Sequence, residues 1–250
     1  MTDMIFAANW KMHLGPRGAM AYLADFLERY EALADREVWF FPSAIAVGAS
    51  ITQVENRAGI SVGVQNVFWE PKGAYTGELS VAMAADAGAT VALVGHSERR
   101  HVFGETDAET AKKVRALLEA GLTPMLCVGE KLEEREAGET LAVVNRQLDV
   151  LKGLDVEALA NVPIAYEPVW AIGTGKTATP ADAAEVHSAI RSWFVDRGVD
   201  ARAVRVLYGG SVKVDNVRDL VAEPDVDGVL VGGASLDPKQ WAEISSVPID

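Results

Sequence analysis

Eight short apolar runs recur along the chain, at residues 4–8, 38–41, 60–64, 90–94, 124–128, 162–166, 204–208 and 226–231, each rich in β-branched or aromatic residues. They are continuous rather than strictly alternating. That is the pattern of strands covered by helices on one side and packed on the other, as in parallel sheets. Between them lie segments in which apolar residues recur at helical spacing: Met20, Leu23, Leu27 and Tyr30; Val114, Leu117 and Leu118; Ala183, Val186, Ile190 and Trp193. Cap signals bracket these segments. Thr106 with Glu109, and Thr179 with Asp182, have the spacing of a capping box, and Pro180 suits a first helical position. Gly121 and Gly198 fall where helix C-terminal caps are needed.

Strand then helix, repeated eight times over residues 1–250 without a Pro/Gly/Ser-rich linker, predicts one α/β domain: a (β/α)8 barrel of eight parallel strands surrounded by helices. An open doubly wound sheet uses the same alternation, so periodicity leaves both open. The strand ends discriminate, because a barrel concentrates its chemistry in the loops that follow its strands.

Composition narrows the function classes. An apolar fraction of 49% with 24% charged residues is that of a soluble globular chain, and no run approaches the ~18 apolar residues of a membrane span. The formal net charge of −13 argues against a nucleic-acid or anionic-membrane partner. Taken alone it should also repel an anionic small molecule, unless the acidic excess lies on outer helices and loops such as 130–139. A single cysteine, Cys127, allows neither an intramolecular disulfide nor a Cys-based zinc site, and residues 1–10 lack a signal-peptide pattern, so the expected location is cytoplasmic. The four histidines, His13, His96, His101 and His187, show no metal-ligand spacing; no metal and no cofactor are expected.

The strand ends carry the candidate chemistry. Asn9-Trp10-Lys11 follows the first run, where a lysine aimed into the barrel mouth supplies a point charge for a phosphate or an oxyanion. Gly95-His96-Ser97-Glu98 follows the fourth, with a hydroxyl and a carboxylate able to fix one imidazole tautomer. Glu167 ends the sixth; partial desolvation there should raise its pKa, as a proton-abstracting base at neutral pH requires. Behind it run Pro168, Val169, Trp170, Ala171, Ile172, Gly173, Thr174, Gly175 and Lys176, a stiff start, an apolar middle and a glycine-rich end. This is the composition of a lid that closes and excludes water. Two phosphate motifs in the same stretch fail: a P-loop would need glycine where Trp170 stands, and Gly173-x-Gly175-x-x-Ala178 begins too far beyond the strand for a dinucleotide fingerprint. Gly209-Gly210-Ser211 and Gly232-Gly233, after the last two runs, bring backbone N–H groups to the place where barrels commonly bind phosphate.

With these residues together the chain closely resembles the triosephosphate isomerases. The resemblance rests on Asn9 to Lys11, Gly95 to Arg100, Ala165 to Ala178, Tyr208 to Ser211 and Leu230 to Leu236, with Gly63 to Asn66 and Gly73 to Glu78 between them, and so covers the whole chain. The family is itself a worked case of tuned acid–base chemistry and loop closure, and the roles that follow are what the resemblance implies. Glu167 is the base that moves a proton between C1 and C2 of dihydroxyacetone phosphate and glyceraldehyde 3-phosphate. Neutral His96 polarises the carbonyl and donates to the enediolate, Lys11 and Asn9 serve the same oxygen edge, and Glu98 pairs with Lys11. Gly173, Ser211, Gly232 and Gly233 hold the phosphate; 168–176 is the lid, latched by Tyr208 and Ser211. The resemblance also implies a homodimer through the loop 65–78, with Gln65 at its base and Tyr75 and Thr76 at its tip. His13 stands where the family more often has Asn, and Val64 where Ala is usual. Two rivals are a Schiff-base aldolase using Lys11 and a binding scaffold on a decayed barrel, the latter disfavoured because binding alone needs no base.

Overall fold

The computed structural model describes residues 4–171 and 180–249. The expected lid positions Ile172, Gly173, Thr174, Gly175 and Lys176, and the expected cap residue Thr179, lie outside the described residues.

Eight parallel strands, β1 (Met4–Asn9), β2 (Arg36–Phe41), β3 (Ile60–Val64), β4 (Val91–Val94), β5 (Thr123–Val128), β6 (Ile164–Tyr166), β7 (Val206–Tyr208) and β8 (Gly228–Val231), pair in chain order. The ring closes where Ile5 to Ala8 of β1 pair with Gly228 to Val231 of β8. Closure excludes the open doubly wound sheet. Around the ring lie α1 (Pro16–Arg29), α2 (Val47–Val54), α3 (Val81–Asp86), α4 (Ser97–His101), α5 (Asp107–Glu119), α6 (Leu132–Glu136), α7 (Thr140–Leu148), α8 (Val156–Ala160), α9 (Pro180–Val195), α10 (Val217–Val221) and α11 (Pro238–Ser245). Every apolar run holds a strand, but the sixth, seventh and eighth each begin two residues late; in the sixth, Pro163 has no N–H to give the ladder and contributes only its carbonyl, to Leu126 N.

The side-chain period of two divides the strands between two cores. Ile5 and Ala7, Trp39 and Phe41, Val91 and Leu93, Met125 and Cys127, Ala165, Leu207 and Leu230 fill the inside of the barrel. Their neighbours, such as Phe6, Phe40, Leu126 and Tyr166, face outward and pack under the helices. Both strand faces are therefore apolar, which explains the continuous runs.

The cap signals behave as their chemistry requires. Thr106 Oγ1 accepts from Glu109 N while the Glu109 carboxylate accepts from Thr106 N, a complete capping box on α5. Gly121 takes a φ of +75° just beyond that helix. The stripe expected on α1 is displaced: Ala19, Tyr22, Leu23 and Phe26 are its buried residues, whereas Met20 is exposed. Aromatic packing sets that rotation, since Tyr22 and Phe26 both meet Phe40 of β2. Glu130 also departs from expectation. It is fully buried, accepts from Tyr166 Oη and Trp170 Nε1, and lies 3.6 Å from Arg135. Most of the 131–139 segment beyond it is exposed or half-exposed as expected.

Candidate active site

Carrying the inward alternation to the end of β1 and one step past the ends of β6, β7 and β8 places Asn9 after Ala7, Glu167 after Ala165, Gly209 after Leu207 and Gly232 after Leu230. All four line one pocket of about 480 Å³ at the C-terminal mouth of the barrel, with Lys11, His96, Ser211 and Gly233. Glycine is required at one of these positions for space: a Cβ on Gly209 would come within 2.9 Å of Glu167 Cγ and 3.0 Å of the Tyr166 carbonyl.

At the centre stands a buried pair. His96 Nε2 lies 3.0 Å from Glu167 Oε1 and 3.1 Å from Asn9 Nδ2. His96 is the N-cap of α4, and its Nδ1 accepts the backbone N–H of Glu98 at 3.3 Å. An acceptor cannot carry a proton, so the N–H of the neutral ring is at Nε2, facing Glu167. The Glu167 carboxylate also accepts from Ser97 N at 2.9 Å and from Ser97 Oγ at 3.3 Å.

The expected rise of the Glu167 pKa is not what this arrangement produces. Burial does push it up, but His96, the Ser97 N–H and Lys11 together outweigh burial and hold it below the ordinary carboxylate value. On His96 the balance runs the other way: burial opposes charge, and the Glu167 carboxylate, aided by Glu98, holds the imidazole above its ordinary value. The two shifts have one cause, since each of the facing groups favours the charged form of the other.

Lys11 is held from several sides. Its backbone takes a φ of +48°, unusual for a side-chain-bearing residue, and is fixed there by Lys11 N donating to Asn9 Oδ1 and by Gln65 Nε2 donating to the Lys11 carbonyl. Its Nζ lies 2.7 Å from Glu98 Oε1. Gln65 thus supports the lysine turn from the start of the loop after β3, while Tyr75 and Thr76 lie exposed further along that loop. Against Gly210, Tyr208 Oη is buried without a hydrogen-bond partner among the described residues; burial, with Asp182, pushes its pKa up to about 12. Of the lid stretch, Pro168 to Ala171 is described, with Val169–Ala171 forming a single 3-10 turn.

The family profile described as triosephosphate isomerase matches residues 4–247. Proteins named triosephosphate isomerase from Moorella thermoacetica, Symbiobacterium thermophilum and Pseudomonas fluorescens are 50%, 48% and 48% identical to the chain. Each alignment covers 98% of this chain, and 98%, 96% and 98% of the respective relative. The chain belongs to the triosephosphate isomerase family. Within that family frame, the barrel brings together Asn9, Lys11, His96, Glu98, Glu167, Ser211, Gly232 and Gly233.

Sequence reasoning missed two features. One is the role of Ser97 as the donor to Glu167; a hydroxyl beside His96 was visible, its partner 70 residues away was not. The other is Glu105, buried below the His96 turn, where it accepts from Gly95 N, Arg99 and Lys113. No signal along the chain links those groups.

Proposed function

We propose that this pocket interconverts dihydroxyacetone phosphate and glyceraldehyde 3-phosphate, with Glu167 as the base, His96 as the electrophile, Lys11 and Asn9 at the substrate oxygens, and Glu98 pairing with Lys11. The observation that carries the reading is the Glu167–His96 pair, a buried carboxylate facing an Nε2–H across 3.0 Å in a pocket that Asn9, Lys11 and Ser211 also line.

Substrate entering between the two side chains separates them. His96 Nε2–H then turns to a substrate oxygen, and Glu167 loses the partner that held its pKa down. Burial, now less opposed, pushes the carboxylate toward the range a base needs. Glu167 takes the proton from C1, the electron pair moves into the enediolate, the hydroxyl proton passes from O1 to O2 by way of His96, and the carbon-bound proton returns from Glu167 to C2. Lys11 and His96 stabilise charge on the oxygens at each stage. Backbone groups of Ser211, Gly232 and Gly233, with Gly173 of the lid 168–176, hold the phosphate; the Tyr208 hydroxyl, without a partner among the described residues, suits a latch for that lid. Excluding water matters because an open enediolate eliminates phosphate. The ion pair of Lys11 with Glu98 fits a point charge and not the neutral amine of a Schiff-base aldolase.

The reading extends to assembly and location. Loop 65–78 and a second hollow of about 240 Å³, lined by residues that include Lys11, Met12, Gln65 and Phe103, support a homodimer in which one subunit's loop tip fills the other's hollow. Met12 and Phe103 are 94% and 69% exposed in the single chain, which such a partner would cover. No described helix is long and apolar enough to cross a membrane, and we place the enzyme in the cytoplasm.

A coupled assay of triose phosphate interconversion tests the mechanism. Glu167→Asp withdraws the carboxylate by about 1 Å and should lower kcat about 100-fold or more. An unchanged rate removes Glu167 from the reaction.

A further inference from the structure

Lys213 lines the pocket beside Ser211, Gly232 and Gly233, at the end assigned above to the phosphate. Its side chain makes no ion pair or hydrogen bond among the described residues, although Asp215 is only two positions away. The other ammonium of the pocket, Lys11, is committed to Glu98 at 2.7 Å. The root of Lys213 is firmly placed. Lys213 N donates to Asn216 Oδ1 at 2.7 Å, Asn216 Nδ2 donates to the Ser211 carbonyl at 3.1 Å, and Val217 N, at the start of α10, donates to the Lys213 carbonyl. An anchored backbone carrying a long cation, unpaired among the described residues, on the rim of the proposed anion site is what capture of a mobile anion needs. A lysine suits this better than an arginine fork because it acts as a point charge from any approach direction.

The charge of the whole chain makes such a group consequential. With a net charge of −13, the field far from the pocket opposes a phosphate dianion. Screening limits that repulsion to about 8 Å at physiological salt, so a single cation on the rim can reverse the sign locally. We propose that Lys213 is a substrate-capturing residue that attracts the phosphate dianion to the Ser211–Gly233 cradle and raises its affinity there. This rests on the functional reading above for the identity of the phosphate-bearing ligand, but not for the charge argument itself.

The test is binding of inorganic phosphate to the full-length protein, followed by calorimetry or by competition, in wild type, Lys213→Gln and Lys213→Arg at low and at physiological ionic strength. Lys213→Gln should weaken binding about five-fold at low salt, with the difference shrinking as salt is added, and Lys213→Arg should restore most of the loss. In turnover assays the Lys213→Gln loss should fall on KM rather than kcat. Equal phosphate affinity and equal salt dependence in wild type and Lys213→Gln overturn the proposal, as does a Lys213→Gln loss that salt leaves undiminished. If the wild type binds phosphate through Lys213 but does not interconvert triose phosphates, the isomerase reading fails and this one stands.

Discussion

His96 and His187 are both buried, and their surroundings drive them in opposite directions. His96 faces a carboxylate and is held above its ordinary pKa. His187 donates through Nδ1 to the Asp225 carbonyl, its Nε2 has no partner among the described residues, and Arg191 lies nearby; burial pushes its pKa down to about 4. Since its folded value lies below the unfolded one of about 6.5, the neutral ring stabilises the fold above pH 6.5 and that contribution is lost as the pH falls toward 4. The expected loss from this site is about 3 kcal/mol at pH 4, on the shift from about 6.5 to about 4. Urea unfolding across that range should show the slope in wild type and a flatter one in His187→Phe; equal slopes would exclude His187 as its source. Sequence spacing could mark His96 as worth attention because Gly95, Ser97 and Glu98 surround it. It could not predict either pKa, because Glu167 and Asp225 lie 71 and 38 positions away along the chain.

At the level of strands and helices, much was legible because the patterns are local. A parallel strand buried on both faces reads as a continuous apolar run, and all eight runs hold strands. The rotation of α1 was not legible: its sequence offers two overlapping apolar stripes, and the rings of Phe40 and Trp10 choose the one containing Tyr22. The strand tops follow the same logic, since the inward alternation that fills the barrel with Ala165 and Leu207 continues to Glu167 and Gly209. Adding one methyl at Gly209 should therefore displace Glu167 while leaving the barrel intact. Gly209→Ala is expected to lower kcat about ten-fold or more with an unchanged circular dichroism spectrum, a misplacement effect of the kind that costs enzymes most. Full activity would show that the carboxylate tolerates the shift.

For the molecule as a whole, the conflict between a net charge of −13 and an anionic substrate is settled by position: Lys11, His96 and Lys213 gather at one mouth. The site is also open on one flank. Met12 and Phe103 are exposed beside Lys11 and Glu98, a flank of the lysine turn that the proposed partner subunit would cover. Dilution or substitution that separates subunits should reduce kcat steeply; a sedimentation-verified monomer with full activity would overturn the dimer reading. Strand and helix identity, helix caps and the residue types at each strand end all depend on neighbours within a few positions, and they could be read along the chain. Contacts such as Glu167 with His96 and Ser97, Gln65 with Lys11, and buried Glu130 with Trp170 depend on closing the ring. They set the charge state of the site, because a pKa responds to groups within a few ångströms in space, and a linear pattern does not contain those distances.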